Sequence, residues 1–332
     1  MRKRDPKHKP CIALTLASLL LPLTAIGAWL GDARPMMGTE VSAYVWHDEP
    51  GEARKALDAV FAEAERINQL MSTYIADSAI SEINRRAAQE AVAPGEELIR
   101  LIQRSLDVSA LTRGAFDVTY DSVGQHYDFR RRVRPDQETV DAEKELIDYR
   151  FVEIDKVAST VRFREEGVRI NLGGIAKGYV VERGVEILRR YGVSNGIVTA
   201  GGDSRLLGDR RGRPWIVGIR DPREDGKVAI SVPLEDEAVS TSGDYERYFD
   251  EEGVRYHHIL EPSSGAPAGK VRSATVFGPD AVITDALSTS VFVLGVDEGL
   301  RLIATLPDYE CIVIDANGEL YYSAGLQAPE NP

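Results

Sequence analysis

From Arg54 to Met71 the apolar residues Leu57, Val60, Phe61, Ala64, Ile67 and Met71 return every third or fourth position. That spacing predicts a helix with one buried stripe. Glu40 to Trp46 alternates instead, with Val41, Ala43 and Val45 on one face, and reads as a strand opened by Met37-Gly38-Thr39. Asp77 and Ser78 begin a short helical stretch through Ile80, Ile83 and Asn84; Leu98, Ile99, Ile102 and Leu106 continue in helical spacing until Gly114 closes that helix. Arg130 to Lys144 is charged and weakly periodic, which predicts an exposed segment, and its Arg130-Arg131-Arg132 run reads as a solvated face. Phe151 to Asp155 and Thr160 to Phe163 look like the two strands of a hairpin.

The stretch Val168 to Gly178 carries the strongest local signal. Val168, Ile170 and Leu172 alternate with polar positions as in a half-buried strand, and Gly173-Gly174 then breaks the ladder. Ile175, Tyr179, Val181, Val185 and Leu188 follow at helical spacing, with Gly192 at the place of a left-handed C-terminal cap. Such a bend leaves backbone N–H groups at the positive end of a helix dipole, a place to hold phosphate, and Lys177 adds a cation. The alternative is a plain strand-to-helix turn with a solvated lysine.

Strands are predicted at Asn195 to Ala200, ending in Gly201-Gly202-Asp203, and at Trp215 to Ile219, Val228 to Val232 and Ala238 to Thr241. Thr241-Ser242-Gly243-Asp244 reads as a turn, and Tyr256 to Leu260 as a strand ending at Glu261-Pro262. The last quarter repeats strand then helix: Ala274 to Phe277, a helix opening near Thr284 and running to Leu294, and another from Gly299 to Leu306. Cys311 to Ile314 and Leu320 to Tyr322 flank Asp315-Ala316-Asn317-Gly318 as a hairpin. Hairpins mixed with helices, without regular βαβ alternation, predict an α+β fold of mixed or antiparallel sheets with packed helices.

At 332 residues and 43% hydrophobic content the chain has room for one large domain or two modest lobes. A net charge of -13 argues against nucleic acid as a partner, so a phosphate-bearing ligand needs local N–H groups, a lysine or a divalent metal. Arg2, Lys3, Arg4, Lys7 and Lys9 precede an apolar run from Cys11 to Leu30, so residues 1–30 read as an export signal or an inner-membrane anchor, and residues 31–36 as a tether. Either reading puts the body of the protein outside the cytoplasm, on the periplasmic side. Cys11 stands before the apolar run, and Cys311 has no partner within a cleaved chain, so no disulfide or cysteine metal site is available.

Asp285 and Thr289 fall four apart on the late helix, with Ser288 beside them, and oxygen ligands at that spacing suit magnesium. The other reading is that Asp285 caps the helix and Thr289 packs. His257 and His258, as neighbours on a strand, point to opposite faces, so at most one enters a given site.

In order along the chain, Met37-Gly38-Thr39, Met71-Ser72-Thr73-Tyr74, Gly114-Ala115-Phe116-Asp117, Asn171 to Gly178, Thr241-Ser242-Gly243, His258 to Pro262 and Asp285 to Thr289 closely resemble the ApbE family of FAD:protein FMN transferases. The resemblance covers Met37 to Tyr322 and implies a flavin transferase domain over residues 37–325. It implies a magnesium-dependent enzyme that takes FAD, releases AMP and joins FMN to a threonine of an exported acceptor, such as a domain of a membrane redox complex. By position it places FAD against Met37, Tyr74, Ala115, Phe116, Asp117, Asn171, Lys177 and Ile259, and magnesium among the Gly174 carbonyl, Asp285, Ser288 and Thr289. His258 matches the family histidine linked to catalysis, and either His258, or Asp285 through the metal shell, would take the threonine proton. Asn171 stands where many relatives have Asp, so a neutral amide would meet the cofactor there. The same residues leave open hydrolysis of FAD to FMN and AMP, or a flavin-binding and delivery protein without catalysis.

Overall fold

The computed structural model describes residues 27–224 and 226–326. The chain starts with β1 (Ala28–Met36) and β2 (Thr39–His47), then α1 (Pro50–Met71), α2 (Ala79–Arg86), α3 (Glu96–Leu111), α4 (Asp121–Gly124) and α5 (Gln137–Glu143). A small hairpin, β3 (Val152–Asp155) and β4 (Thr160–Phe163), precedes α6 (Ala176–Arg190). Six strands in sequence follow: β5 (Asn195–Ala200), β6 (Asp203–Leu207), β7 (Trp215–Arg220), β8 (Val228–Leu234), β9 (Ala238–Gly243) and β10 (Tyr248–Glu251). After β11 (Val254–His257), β12 (Leu260–Glu261), β13 (Ala266–Pro267) and β14 (Val271–Gly278) come α7 (Ala281–Leu294), α8 (Val296–Ile303), β15 (Glu310–Asp315) and β16 (Leu320–Tyr322).

Eight strands form one sheet in the order β1-β2-β5-β6-β9-β14-β15-β16, and every neighbouring pair is antiparallel. Side chains alternate across it as the pleat requires. Val41, Val45, Val198 and Ala238 face a core shared with α1 and α6, while Val276 and Val313 face a second core beneath α7. Leu206, Val239, Phe277 and Ile312 point the other way, under the β7–β8 hairpin. Trp29, Tyr44, Trp46 and Trp215 meet in one aromatic cluster at that corner. Helix α7 is buried nearly all round, as a helix wedged between two cores must be. Each fully buried Leu or Phe in these layers, such as Leu57 or Phe61 of α1, contributes ~1.5–3 kcal/mol by leaving water.

Several sequence expectations need correction. Residues 31–36 are not a tether: they belong to β1, whose register pairs Ala28 with His47 and Met36 with Thr39. The leader assigned to residues 1–30 lies outside the described residues up to 26, and its last three residues are already strand. The charged segment 130–144 contains α5, capped by Asp136 and seated by buried Val140. Val168 to Leu172 joins no strand, although Asn171 N donates to the Val118 carbonyl (2.9 Å). Asn84 bonds both the N–H and the carbonyl of Ile170 (2.8 and 2.9 Å), and Ser122 accepts from Arg169 N (3.1 Å), so side chains take the place of a ladder. Thr241 to Gly243 is no turn but the end of β9, paired with β14. The strand expected over Tyr256 to Leu260 breaks at His258 and Ile259. Helix α7 begins three residues before Thr284, and Asp280, not Asp285, is its cap, accepting from Val282 N and Ile283 N.

Candidate active site

The N-terminal turns of α6 and α7 meet almost without side chains between them. A Cβ on Gly178 would fall 2.1 Å from the Ala281 carbonyl oxygen and 2.8 Å from Asp285 Cβ, so only glycine allows this approach. Closeness lets Gly178 N donate to Asp285 Oδ2 (2.9 Å), which fixes the carboxylate at the mouth of the bend. Lys177 Nζ lies 3.5 Å from Asp285 Oδ1 and also pairs with Asp203, the buried residue after the Gly201-Gly202 turn.

Above this cluster lies a cavity of about 360 Å³, the size of a small-molecule site. Met37, Tyr74, Ala115, Phe116, Asp117, Asn171, Lys177 and Ile259 all line it, as do Gly174, His258, Asp285 and Thr289. Gly174 sits under the Phe116 ring, and a Cβ there would reach Thr289 Oγ1 at 3.5 Å, so the bend and the late helix share one wall. Tyr74 stands at the rim, 85% exposed. Ser288 does not line the cavity. It is buried, donates to the Asp285 carbonyl (2.8 Å) and touches Ser242 Oγ at 2.9 Å; Ser242, which does line the cavity, is also 3.2 Å from Thr289 Oγ1.

Four of the six N–H groups from Gly173 to Gly178 are taken within the protein. Gly173 N donates to Asn171 Oδ1 (2.9 Å), Ile175 N and Ala176 N both donate to the Leu172 carbonyl, and Gly178 N is taken by Asp285. The amide of Asn171 is engaged inside the protein as well, donating to Asp121 Oδ1 (3.0 Å) and Thr73 Oγ1 (3.3 Å). A carboxylate is thus present behind the amide, on Asp121. Asp117 lines the cavity, yet its carboxylate holds Thr119 and Tyr149 N and caps a tight helical turn.

Burial pushes the Asp285 carboxyl up to about 7, reinforced by the Asp203 carboxylate and opposed by Lys177. Burial alone would lower Lys177; the two carboxylates outweigh it and hold the ammonium charged. His258 is lowered to about 3, first by burial and then by the charge of Arg247, so it is a neutral imidazole at physiological pH. Among the described residues its Nδ1 is buried without a partner. His257 serves the fold: its ring bonds the Ala268 carbonyl (2.7 Å) and accepts from Ile259 N (3.3 Å).

The donors present fit a hard divalent cation. Asp285 supplies a carboxylate, Thr289 a hydroxyl and Gly174 a backbone carbonyl; Asp203 Oδ1 is a buried oxygen with no hydrogen bond. Among the described residues no cluster of three His, Cys, Asp or Glu side chains forms a complete cage. Magnesium needs none, because it fills its shell with water and substrate oxygens.

An antiparallel sheet under a helical layer, closing on a cavity with an acid–lysine–acid cluster at its floor, defines an α+β enzyme with a site for a small molecule. The chain belongs to the ApbE family, whose profile matches residues 37–313. It is 30% identical to the FAD:protein FMN transferase of Treponema pallidum (strain Nichols) over 95% of each chain, and 29% identical to one from Klebsiella pneumoniae (strain 342) over 87% of this chain and 90% of that one. The fold matches the ApbE protein of Thermotoga maritima with a TM-score of 0.83 and 33% identity, covering 90% of this chain and 98% of that one. Flavin Transferase ApbE from Vibrio cholerae matches with a TM-score of 0.79 and 28% identity over the same shares.

Sequence reasoning gave no site role to Asp203, Asp121 or Arg247, nor to Ser242 within its Thr241-Ser242-Gly243 motif. Asp203 had a signal, since an acid directly after paired glycines is positioned by their turn. The other three are brought in from distant parts of the chain, Asp121 by α4, Ser242 by the end of β9 and Arg247 by the loop after it.

Proposed function

We propose that this protein transfers FMN from FAD to a threonine hydroxyl of an exported acceptor protein and releases AMP. The observation that carries the reading is the convergence of Asp285, Thr289 and the Gly173-Gly174 bend on one cavity. In the reaction the threonine oxygen bonds to the FMN phosphorus, the bond from that phosphorus to the bridging oxygen breaks, and AMP leaves with that oxygen. Asp285, Thr289 and the Gly174 carbonyl would hold magnesium. Bound there, the ion would neutralise charge on the diphosphate.

The chain's own residues supply the rest. Phe116 and Ile259 give apolar wall, and Tyr74 offers a ring at the rim on which a planar ligand can stack. His258, which lines the cavity, takes the threonine proton. His258→Ala should therefore retain FAD binding and lose transfer by ~10²-fold or more, read as adduct formed per minute; unchanged turnover would return the residue to a packing role.

The exported location rests on the basic and apolar pattern of residues 1–30, and the acceptor class on the activity itself. Mass spectrometry of candidate acceptors after incubation with the protein, FAD and magnesium tests the whole reading. An FMN adduct on threonine with an equal amount of AMP is expected. Free FMN formed equally with and without acceptor would instead identify a hydrolase.

A further inference from the structure

We infer that Arg247, and not Lys177, is the protein cation that holds the substrate's phosphate; the inference rests on the dinucleotide reading above and names the group that serves it. Lys177 is already committed, since two carboxylates share its charge and the three groups together carry a net negative one. The bend compensates only in part, because Asn171, Leu172 and Asp285 take the N–H groups of Gly173, Ile175, Ala176 and Gly178. An anionic ligand entering this cavity therefore needs another cation.

Arg247 lines the same cavity, half-buried in the loop between β9 and β10. Among the described residues it forms no ion pair, and its one side-chain hydrogen bond is a weak one to the Met37 carbonyl at 3.5 Å. Its acidic neighbour Glu246 is taken by Arg220 (3.2 Å). A guanidinium has five N–H donors in a planar fork that fits phosphate, so a lined-up arginine with nearly all donors unused is a site awaiting an anion.

The surroundings hold this side chain in place. Met37 and Gly38 form the β1–β2 turn with φ of 54° and 71°, and a Cβ on Gly38 would come within 3.2 Å of Arg247 Nη2. That turn is shaped so that its backbone lies against the guanidinium. The Arg247 carbonyl accepts from His258 N (3.1 Å), which ties the arginine to the residue assigned the proton. A phosphate held by Arg247 would thus lie beside the base.

The test compares wild type, Arg247→Gln and Arg247→Lys by calorimetry with FAD, FMN, riboflavin and inorganic pyrophosphate. Thermal unfolding confirms that each variant folds. Losing a charged hydrogen bond predicts affinity for FAD, FMN and pyrophosphate ~10- to 100-fold weaker in the Gln variant and partly restored in the Lys variant. Riboflavin, which lacks phosphate, should bind both variants as it binds wild type. Equal loss for riboflavin would assign Arg247 to the flavin ring and overturn the inference, as would unchanged FAD and pyrophosphate affinity. Wild type that binds pyrophosphate through Arg247 but not FAD would sink the dinucleotide reading and leave this one standing. If the Gln variant fails to fold, the Lys variant decides: wild-type affinity of Arg247→Lys for FAD, FMN and pyrophosphate would overturn it.

Discussion

Asp285→Asn should leave a folded protein whose rate of FMN transfer is down by at least ~10³-fold, the upper range for losing a fixed electrostatic group at a reacting centre. The amide keeps the volume and can still accept from Gly178 N, so the loss reports the charge and not a cavity. Because burial and Asp203 raise the Asp285 carboxyl to about 7, a divalent cation must displace a proton to bind below that pH. Apparent magnesium affinity in wild type should therefore fall by up to tenfold per pH unit below about 7 and level off above it. In Asp285→Asn that slope should vanish. A raised carboxylate pKa also means that folding is opposed increasingly from the ordinary carboxylate range upward, and fully above about 7. The metal-free Asn variant at pH 8 should thus unfold at a temperature no lower than wild type. Wild-type transfer by the variant, or a magnesium affinity flat from pH 5.5 to 8, would remove Asp285 from the centre.

Gly178→Ala should lose both stability and activity. The added Cβ meets backbone, 2.1 Å from the Ala281 oxygen and 2.8 Å from its carbonyl carbon, so α7 has to move as a unit. Overpacking of this kind costs ~1–3 kcal/mol, and displacing a reacting group by about 1 Å can cost ~10²-fold in rate. Gly184→Ala on the same helix is the control. Its Cβ would meet only side chains, Val198 Cγ1 at 2.9 Å and Val60 Cγ1 at 3.3 Å, and it leaves the Asp285 contact alone. Thermal unfolding and kcat should separate the two: a drop in stability for both, a drop in kcat for Gly178→Ala alone. Normal kcat in Gly178→Ala would show that the α6–α7 approach does not set the site.

Periodicity made α1, α6, α7 and the central strands legible because each buries one face or all faces against a core. It misjudged β1, where Gly31, Asp32, Arg34 and Pro35 interrupt any alternation; that strand is specified by its pairing with β2, an edge the local sequence does not show. Val168 to Leu172 had the right alternation but no strand partner, because Asn84 and Ser122 substitute for one from far away in the chain. At the site, the motif residues were readable one by one, whereas their commitments were not. Nothing near Lys177 announces that Asp203 will take its charge, and nothing near Arg247 announces that no carboxylate will. Such pairings are made by the sheet order, which places the β5–β6 turn and the end of β9 beside the start of α6.

All the tryptophans of the chain, Trp29, Trp46 and Trp215, belong to the aromatic corner where β1 and β2 meet the β7–β8 hairpin, and none lines the cavity. Intrinsic emission from this protein is therefore a local gauge: it follows whether the first strand stays zipped to its neighbour, and its wavelength is set by water reaching that seam.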